Sequence, residues 1–124
     1  MNFPRVYLAS GSPRRSELLA QIGIEFDKLT IDVDESRLID EMPLDYVQRI
    51  AQVKAKAGWA ALGENELRPV IGADTSVIIG RDILGKPKNK AEAKTMLKRL
   101  SNNQHEVLTA VSLIYGEQVL TRVS

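Results

Sequence analysis

The sequence predicts an α/β fold in which a mixed β-sheet is flanked by helices. Three observations carry the prediction. Short apolar runs that read as buried strands alternate with longer segments of helical period. Helix starts and stops are marked by proline, asparagine and glycine where those residues belong. The second half adds glycine-centred turns between apolar runs, which join neighbouring strands as hairpins.

The elements follow in order. Val6-Tyr7-Leu8-Ala9 is a buried-strand run, and it enters Ser10-Gly11-Ser12-Pro13. Ser12 suits a helix N-cap and Pro13 the first helical position. That helix carries Leu18, Leu19 and Ile22 on one face and stops at Gly23. Strand material is expected from Phe26 to Val33, followed by the acidic patch Asp32-Val33-Asp34-Glu35. Pro43 opens a second helix that runs to about Leu62, with Gly63 as its stop, and a polar loop covers Glu64 to Pro69. Val70 to Ile79 is the most apolar strand. Gly80-Arg81-Asp82 reads as a turn, with Ile83-Leu84 returning. Asn89 caps a third helix, Glu92 completes the capping-box spacing, and Ala93, Met96, Leu97 and Leu100 form its apolar face. Glu106 to Tyr115 is a further strand, Gly116-Glu117 a turn, and Val119 to Val123 the start of a last strand. The order is β-α-β-α-β-β-α-β-β.

Composition narrows the function. With 124 residues, 44% of them hydrophobic, the chain suits one domain with a real core. A formal net charge of +1 gives no basic field for nucleic acid, so any anion site must be local. The absence of cysteine removes disulfides, zinc-thiolate sites and thiol nucleophiles. A single histidine argues against a histidine-rich metal site or a Ser-His-Asp triad. No apolar run approaches the roughly 20 residues of a membrane span. The N-terminus lacks the pattern of a signal peptide, and a cytoplasmic location is expected.

Several residues suit chemistry. The turn before the first helix presents free backbone N–H groups and the positive end of the dipole, which suits a phosphate. Arg14 and Arg15 have the wrong sign for that dipole, so the pattern reads either as a bound anion or as a capped helix with two solvated arginines. On the second helix, Tyr46, Val47, Ile50, Val53, Ala57 and Ala61 form an apolar arc that contains Lys54. A lysine there must snorkel or meet an anion. Asp74 interrupts the apolar strand, where a carboxylate is costly unless paired. Gly72 and Ala73 beside it leave room for something bulky to approach. Such an aspartate has a cation, a metal or a substrate proton to deal with, or else forms a structural ion pair. Lys86 sits in Leu84-Gly85-Lys86-Pro87 on a loop stiffened by proline. Glu35 could join Asp74 in holding Mg²⁺ through oxygen ligands, or be a solvated loop charge. His105 begins a strand, and Trp59 falls on the polar side of its helix, suited to pack on a partner. Two arginines, two lysines and two carboxylates make an inventory for phosphoanhydride hydrolysis: cations clamp phosphates, and a carboxylate positions or activates water.

These motifs resemble those of the Maf family. Leu8-Ala9-Ser10-Gly11-Ser12-Pro13-Arg14-Arg15 with Glu17-Leu18-Leu19 resembles the family's opening motif. Lys54-Ala55-Lys56-Ala57, Gly72-Ala73-Asp74-Thr75 and Gly85-Lys86-Pro87 are similar to the motifs that follow, in the same order and spacing. Met96-Leu97 through Leu100-Ser101, His105 and Thr109-Ala110-Val111 are similar to the next helix and strand.

The resemblance implies an elongated fold related to the inosine-triphosphatase group, commonly dimeric. It implies a nucleoside triphosphate pyrophosphatase that cuts between the α and β phosphates with a divalent metal, Mg²⁺ or Mn²⁺. By motif position it gives Asp74 the role of proton acceptor. Ser10, Arg15, Glu35, Lys54 and Lys86 would line the cleft, with Asp74 and Glu35 toward the metal. Arg14 and Thr75 resemble the subgroup acting on dTTP and UTP, and modified pyrimidine nucleotides would suit a house-cleaning role. The resemblance also implies an alternative, a non-catalytic nucleotide-binding regulator of septum formation. Family members are longer and continue into a glycine-rich stretch and a glutamine that helps choose the base. The expectation is therefore that residues 1–124 form the front part of a single longer domain.

Overall fold

A computed structural model describes residues 5–9, 13–64, 67–84, 89–102 and 104–123; the side chains of Pro13, Arg14, Arg15 and Leu18 lie outside that description. The expected α/β order is observed: β1 (Val6–Ala9), α1 (Pro13–Gln21), β2 (Phe26–Lys28), α2 (Pro43–Ala60), β3 (Val70–Ile79), β4 (Asp82–Leu84), α3 (Lys90–Asn102), β5 (Glu106–Tyr115) and β6 (Gln118–Val123). The sheet is mixed and six-stranded, in the order β2-β1-β3-β5-β6, with β4 also paired to β3. β1 runs parallel to β2 and β3, while β4 and β5 run antiparallel to β3. β6 pairs with β5 along its whole length.

Most local signals perform as predicted. Asn89 Oδ1 accepts the backbone N–H of Glu92 at 2.9 Å and so caps α3. Gly80 and Gly116 take φ of +62° and +63° in the two hairpin turns, where a Cβ would be strained. α1 closes at Gly23, whose φ is +78°, as the Ile24 N–H reaches back to Leu19 O at 3.0 Å. Strand structure after α1 is shorter than the expected Phe26–Val33. β2 ends at Lys28 because β1, its partner, ends at Ala9, and an irregular segment follows from Leu29.

α2 covers one face of the sheet. Val47 and Ala51 pack with Ala110 of β5, and a second cluster joins Tyr7, Ala9 and Val70 to Leu29, Ile31, Trp59 and Leu62. The buried residues of α2 are Pro43, Val47, Ile50, Ala51, Ala55 and Gly58. Val47 and Ile50 are buried as expected, but the buried arc turns toward Ala51, Ala55 and Gly58 and away from Val53, Ala57 and Ala61. Hydropathy marks the apolar side of the helix but not the exact line along which the sheet meets it. Trp59 is not a surface aromatic awaiting a partner. It packs on the Tyr7 cluster and meets Tyr115 edge-on, with ring centroids 5.7 Å apart.

Two expected apolar faces are covered only in part among the described residues. α3 buries no side chain, and Leu97 is 63% exposed. Ile22, expected on the inner face of α1, lies beyond the helix end and is 62% exposed. Periodicity shows which residues share a face but not what lies opposite it.

Candidate active site

The site forms where the sheet splits. β5 occupies one edge of β3 from Val70 to Ile78. Both β1 and β4 therefore use the other edge. The β1 ladder ends at Ala9 opposite Gly72, and the β4 ladder ends at Leu84 opposite Val77. Ala73 to Ser76 fall between these ladders, with the C-terminal ends of β1 and β4 directed at them from opposite sides. Asp74 is in that gap. Ser10 and Lys86, expected to bind substrate, lie outside the described residues, as do the side chains of Arg14 and Arg15. Ala9 and Leu84, the described residues next to those motifs in sequence, lie on either flank of Asp74.

Strand alternation puts Gly72, Asp74 and Ser76 on the face that meets α2. A Cβ on Gly72 would lie 2.4 Å from Ala55 N and 2.5 Å from Ala51 O. The room beside Gly72 is thus filled by the backbone of α2 rather than left open for a ligand. This close approach brings Lys54 to the strand. Its Nζ lies 3.4 Å from Asp74 Oδ1 and donates to Ala73 O at 3.3 Å. It also lies 3.1 Å from Glu35 Oε1. The lysine therefore meets anions instead of snorkelling to water, and its side chain is only 17% exposed. Ser76 Oγ donates to Asp74 Oδ2 at 3.1 Å, so both carboxylate oxygens are engaged.

One ammonium between two carboxylates leaves the trio with a net negative charge. Asp74 is 12% exposed, so a second cation beside it would be favoured. The donor set suits a magnesium-like ion, which binds through one or two carboxylates and keeps its other positions for water and phosphate oxygens. Among the described residues there is no group of three or more His, Cys, Asp or Glu placed to hold a metal. Glu35 and Asp74 are the two carboxylates brought together around Lys54.

Thr75 points away from this trio, to the opposite face of β3, where its Oγ1 lies 3.1 Å from Thr109 Oγ1. It shares the gap with Asp74 through the backbone, not through a common side-chain cluster. His105 is exposed and stands just before β5.

A clamp on the Glu35 loop was not legible as such in the sequence. Tyr46 Oη donates to the Glu35 carbonyl at 2.6 Å. Arg49 grips Glu41 with two hydrogen bonds, of 2.7 and 2.9 Å, and donates to Ser36 O at 2.8 Å. Its guanidinium also lies 5.6 Å from the Tyr46 ring centroid. The Arg49 hydrogen bond holds the Glu41 carboxyl below its usual range. Burial, with the Asp74 and Glu35 charges nearby, pushes the Tyr46 phenol above its ordinary value. The phenol stays protonated and keeps its donor role. The available signal was that Tyr46 and Arg49 lie one helical turn apart, on the flank of the arc that carries Lys54.

The architecture is similar to that of two solved structures. One is the nucleoside-triphosphatase / dITP/XTP pyrophosphatase of Mycobacterium abscessus, with a TM-score of 0.62 at 16% identity, covering 98% of this chain and 71% of that one. The other is the Staphylococcus aureus Ham1 protein, with a TM-score of 0.62 at 17% identity, covering 97% and 67%. At these identities the likeness concerns the fold alone. The sequence itself matches the Maf-like protein family over residues 5–124, and the chain belongs to that family. Among its curated relatives, the dTTP/UTP pyrophosphatase of Pseudoalteromonas translucida is 52% identical over 95% of this chain and 61% of its own length. Those of Aliivibrio fischeri and Escherichia coli K12 are 48% and 44% identical, over 95% and 93% of this chain and 63% and 57% of their own lengths. The chain spans about three-fifths of the length of these relatives.

Proposed function

We propose that the protein hydrolyses nucleoside triphosphates to the nucleoside monophosphate and pyrophosphate, with dTTP and UTP as preferred substrates. Modified pyrimidine nucleotides are further candidates, in keeping with a house-cleaning role in the cytoplasm. The observation that carries this reading is the Asp74-Lys54-Glu35 trio, set in the gap of β3 between the ends of β1 and β4. The names of the relatives supply the nucleotide preference. No helix among the described residues is long and apolar enough to cross a membrane. A homodimer is the expected assembly.

Each residue then has its task. Asp74 accepts the proton of the attacking water at a carboxylate oxygen. Lys54 and Ser76 fix that carboxylate and keep it from rotating. Ser10, Arg14, Arg15 and Lys86 bind the triphosphate and offset charge that grows on the bridging and leaving oxygens. Thr75, on the opposite face of β3, contributes to base choice, as does Arg14. Glu35 and Asp74 would hold Mg²⁺ or Mn²⁺, which when bound would polarise the phosphate oxygens.

The test is direct. Protein incubated with dTTP or UTP and Mg²⁺ is expected to release pyrophosphate, not orthophosphate, and Asp74→Asn to abolish that release. No turnover by the parent protein, or turnover indifferent to Asp74→Asn, would sink the proposal.

A further inference from the structure

Glu35 lies in an irregular segment that runs from Leu29 to the turn before α2. Its side chain is 52% exposed, and no strand or helix fixes its place. A carboxylate on such a loop loses conformational entropy whenever it meets a fixed partner. Yet Glu35 Oε1 lies 3.1 Å from a lysine that is held by Asp74. The anchoring must come from elsewhere.

It comes from the first turns of α2. Tyr46 Oη takes the carbonyl of Glu35 itself, and Arg49 takes the carbonyl of Ser36, the next residue. Arg49 also grips the Glu41 carboxylate, while Glu41 Oε1 accepts the Leu38 N–H at 3.1 Å and Glu41 O accepts Arg37 Nε at 2.8 Å. Asp34 Oδ1 accepts the Ser36 N–H at 2.9 Å and tightens the turn. The loop is thus bonded at Glu35 and on its C-terminal side to the helix that also carries Lys54. Tyr46, Arg49 and Lys54 lie on one side of α2, so the loop anchor and the ammonium belong to one rigid body.

We infer that Tyr46 and Arg49 are positioning residues that hold the Glu35 carboxylate in the active site by pinning the 34–41 loop to α2. The inference rests on the proposed pyrophosphatase reading for its catalytic consequence, but not for its structural one. Tyr46→Phe is the sharp probe, because it removes one hydroxyl and leaves the ring under Arg49. Amide hydrogen exchange in Tyr46→Phe is expected to be about tenfold faster at residues 34–38 and unchanged in β3 and the later turns of α2. With dTTP and Mg²⁺, kcat is expected to fall about 10-fold with KM little changed, as when the support of a ligating group is removed. Arg49→Lys keeps the charge but loses the fork, and should give the same segment-limited exchange.

A double-mutant cycle separates positioning from a general structural role. If Tyr46 acts through Glu35, Tyr46→Phe adds no further loss of kcat once Glu35→Gln is present. Losses that multiply, exchange at 34–38 that stays slow, or an unchanged kcat in a parent that turns over would each overturn the inference. If the parent itself releases no pyrophosphate, the pyrophosphatase reading fails, and the exchange measurement alone then decides whether the clamp holds Glu35.

Discussion

Gly72→Ala tests the packing that creates the site. The added Cβ would lie 2.4 Å from Ala55 N, 2.5 Å from Ala51 O and 2.9 Å from Ala55 Cα. All three are backbone atoms, so no side chain can rotate away and α2 must retreat as a body. Overpacking typically costs about 1–3 kcal/mol, and a purely backbone clash belongs at the upper end, near 3 kcal/mol. An unfolding entropy of about 2.1 cal/mol/K per residue amounts to roughly 0.26 kcal/mol/K for a chain of this length, so Tm should fall by about 10 °C. Gly80→Ala is the control. It meets nothing within 4 Å and suffers only its φ of +62°, a cost of about 1 kcal/mol and a fall of about 4 °C. Calorimetry of both variants reads the difference. The retreat also draws Lys54 away from Asp74, so Gly72→Ala should lose pyrophosphate release at temperatures where it is still folded, and Gly80→Ala should not. A Tm for Gly72→Ala within about 3 °C of the parent would refute the close approach of α2 and, with it, the packing origin of the site.

Lys54→Met keeps the length of the side chain but leaves the Asp74 carboxylate with Ser76 alone. It should destabilise by about 2–3 kcal/mol, less than a fully buried pair would lose, because Asp74 keeps some access to water. Adding Asp74→Asn should recover most of that loss in chemical denaturation, and failure to recover would mean that the pair is not coupled. The Glu41, Asp27 and Asp82 carboxyls are held below their ordinary 4.5, 3.8 and 3.8 by arginine partners, so their contribution to stability is complete above those values. It is lost as the pH falls through the lower folded-state values, so Tm should be flat above about pH 5 and decline in acid. Glu41→Gln should make that decline shallower, and an identical acid profile would show that the Arg49 clamp does not form. EDTA should abolish turnover, and Mg²⁺ or Mn²⁺ should restore it. Thermal stabilisation by Mn²⁺ should shrink in Glu35→Gln, and equal stabilisation would remove Glu35 as a ligand.

Much of this site could be read from the chain itself. A lysine in the inward arc of α2 and an aspartate inside the most apolar strand are both expensive to bury unpaired, and each implies the other or a ligand. The same reasoning could not locate Tyr46 or Arg49. They engage main-chain carbonyls, and a carbonyl is the same at every residue. That Thr75 and Asp74 face opposite sides follows from strand alternation, but which of the two faces meets α2 could not be read.

The sequence alone determined the element order, the caps and turns, and which charges lay in the wrong surroundings. Those follow from local backbone sterics, hydropathy period and the cost of desolvating charge, all of which act over a few residues. Only the tertiary structure decided that the buried arc of α2 turns toward Ala51, Ala55 and Gly58, and that the backbone of α2 fills the room beside Gly72. It also decided that α3 buries none of its apolar face completely among the described residues. Each of those depends on which surface approaches which, and at what distance, over separations that no local signal spans.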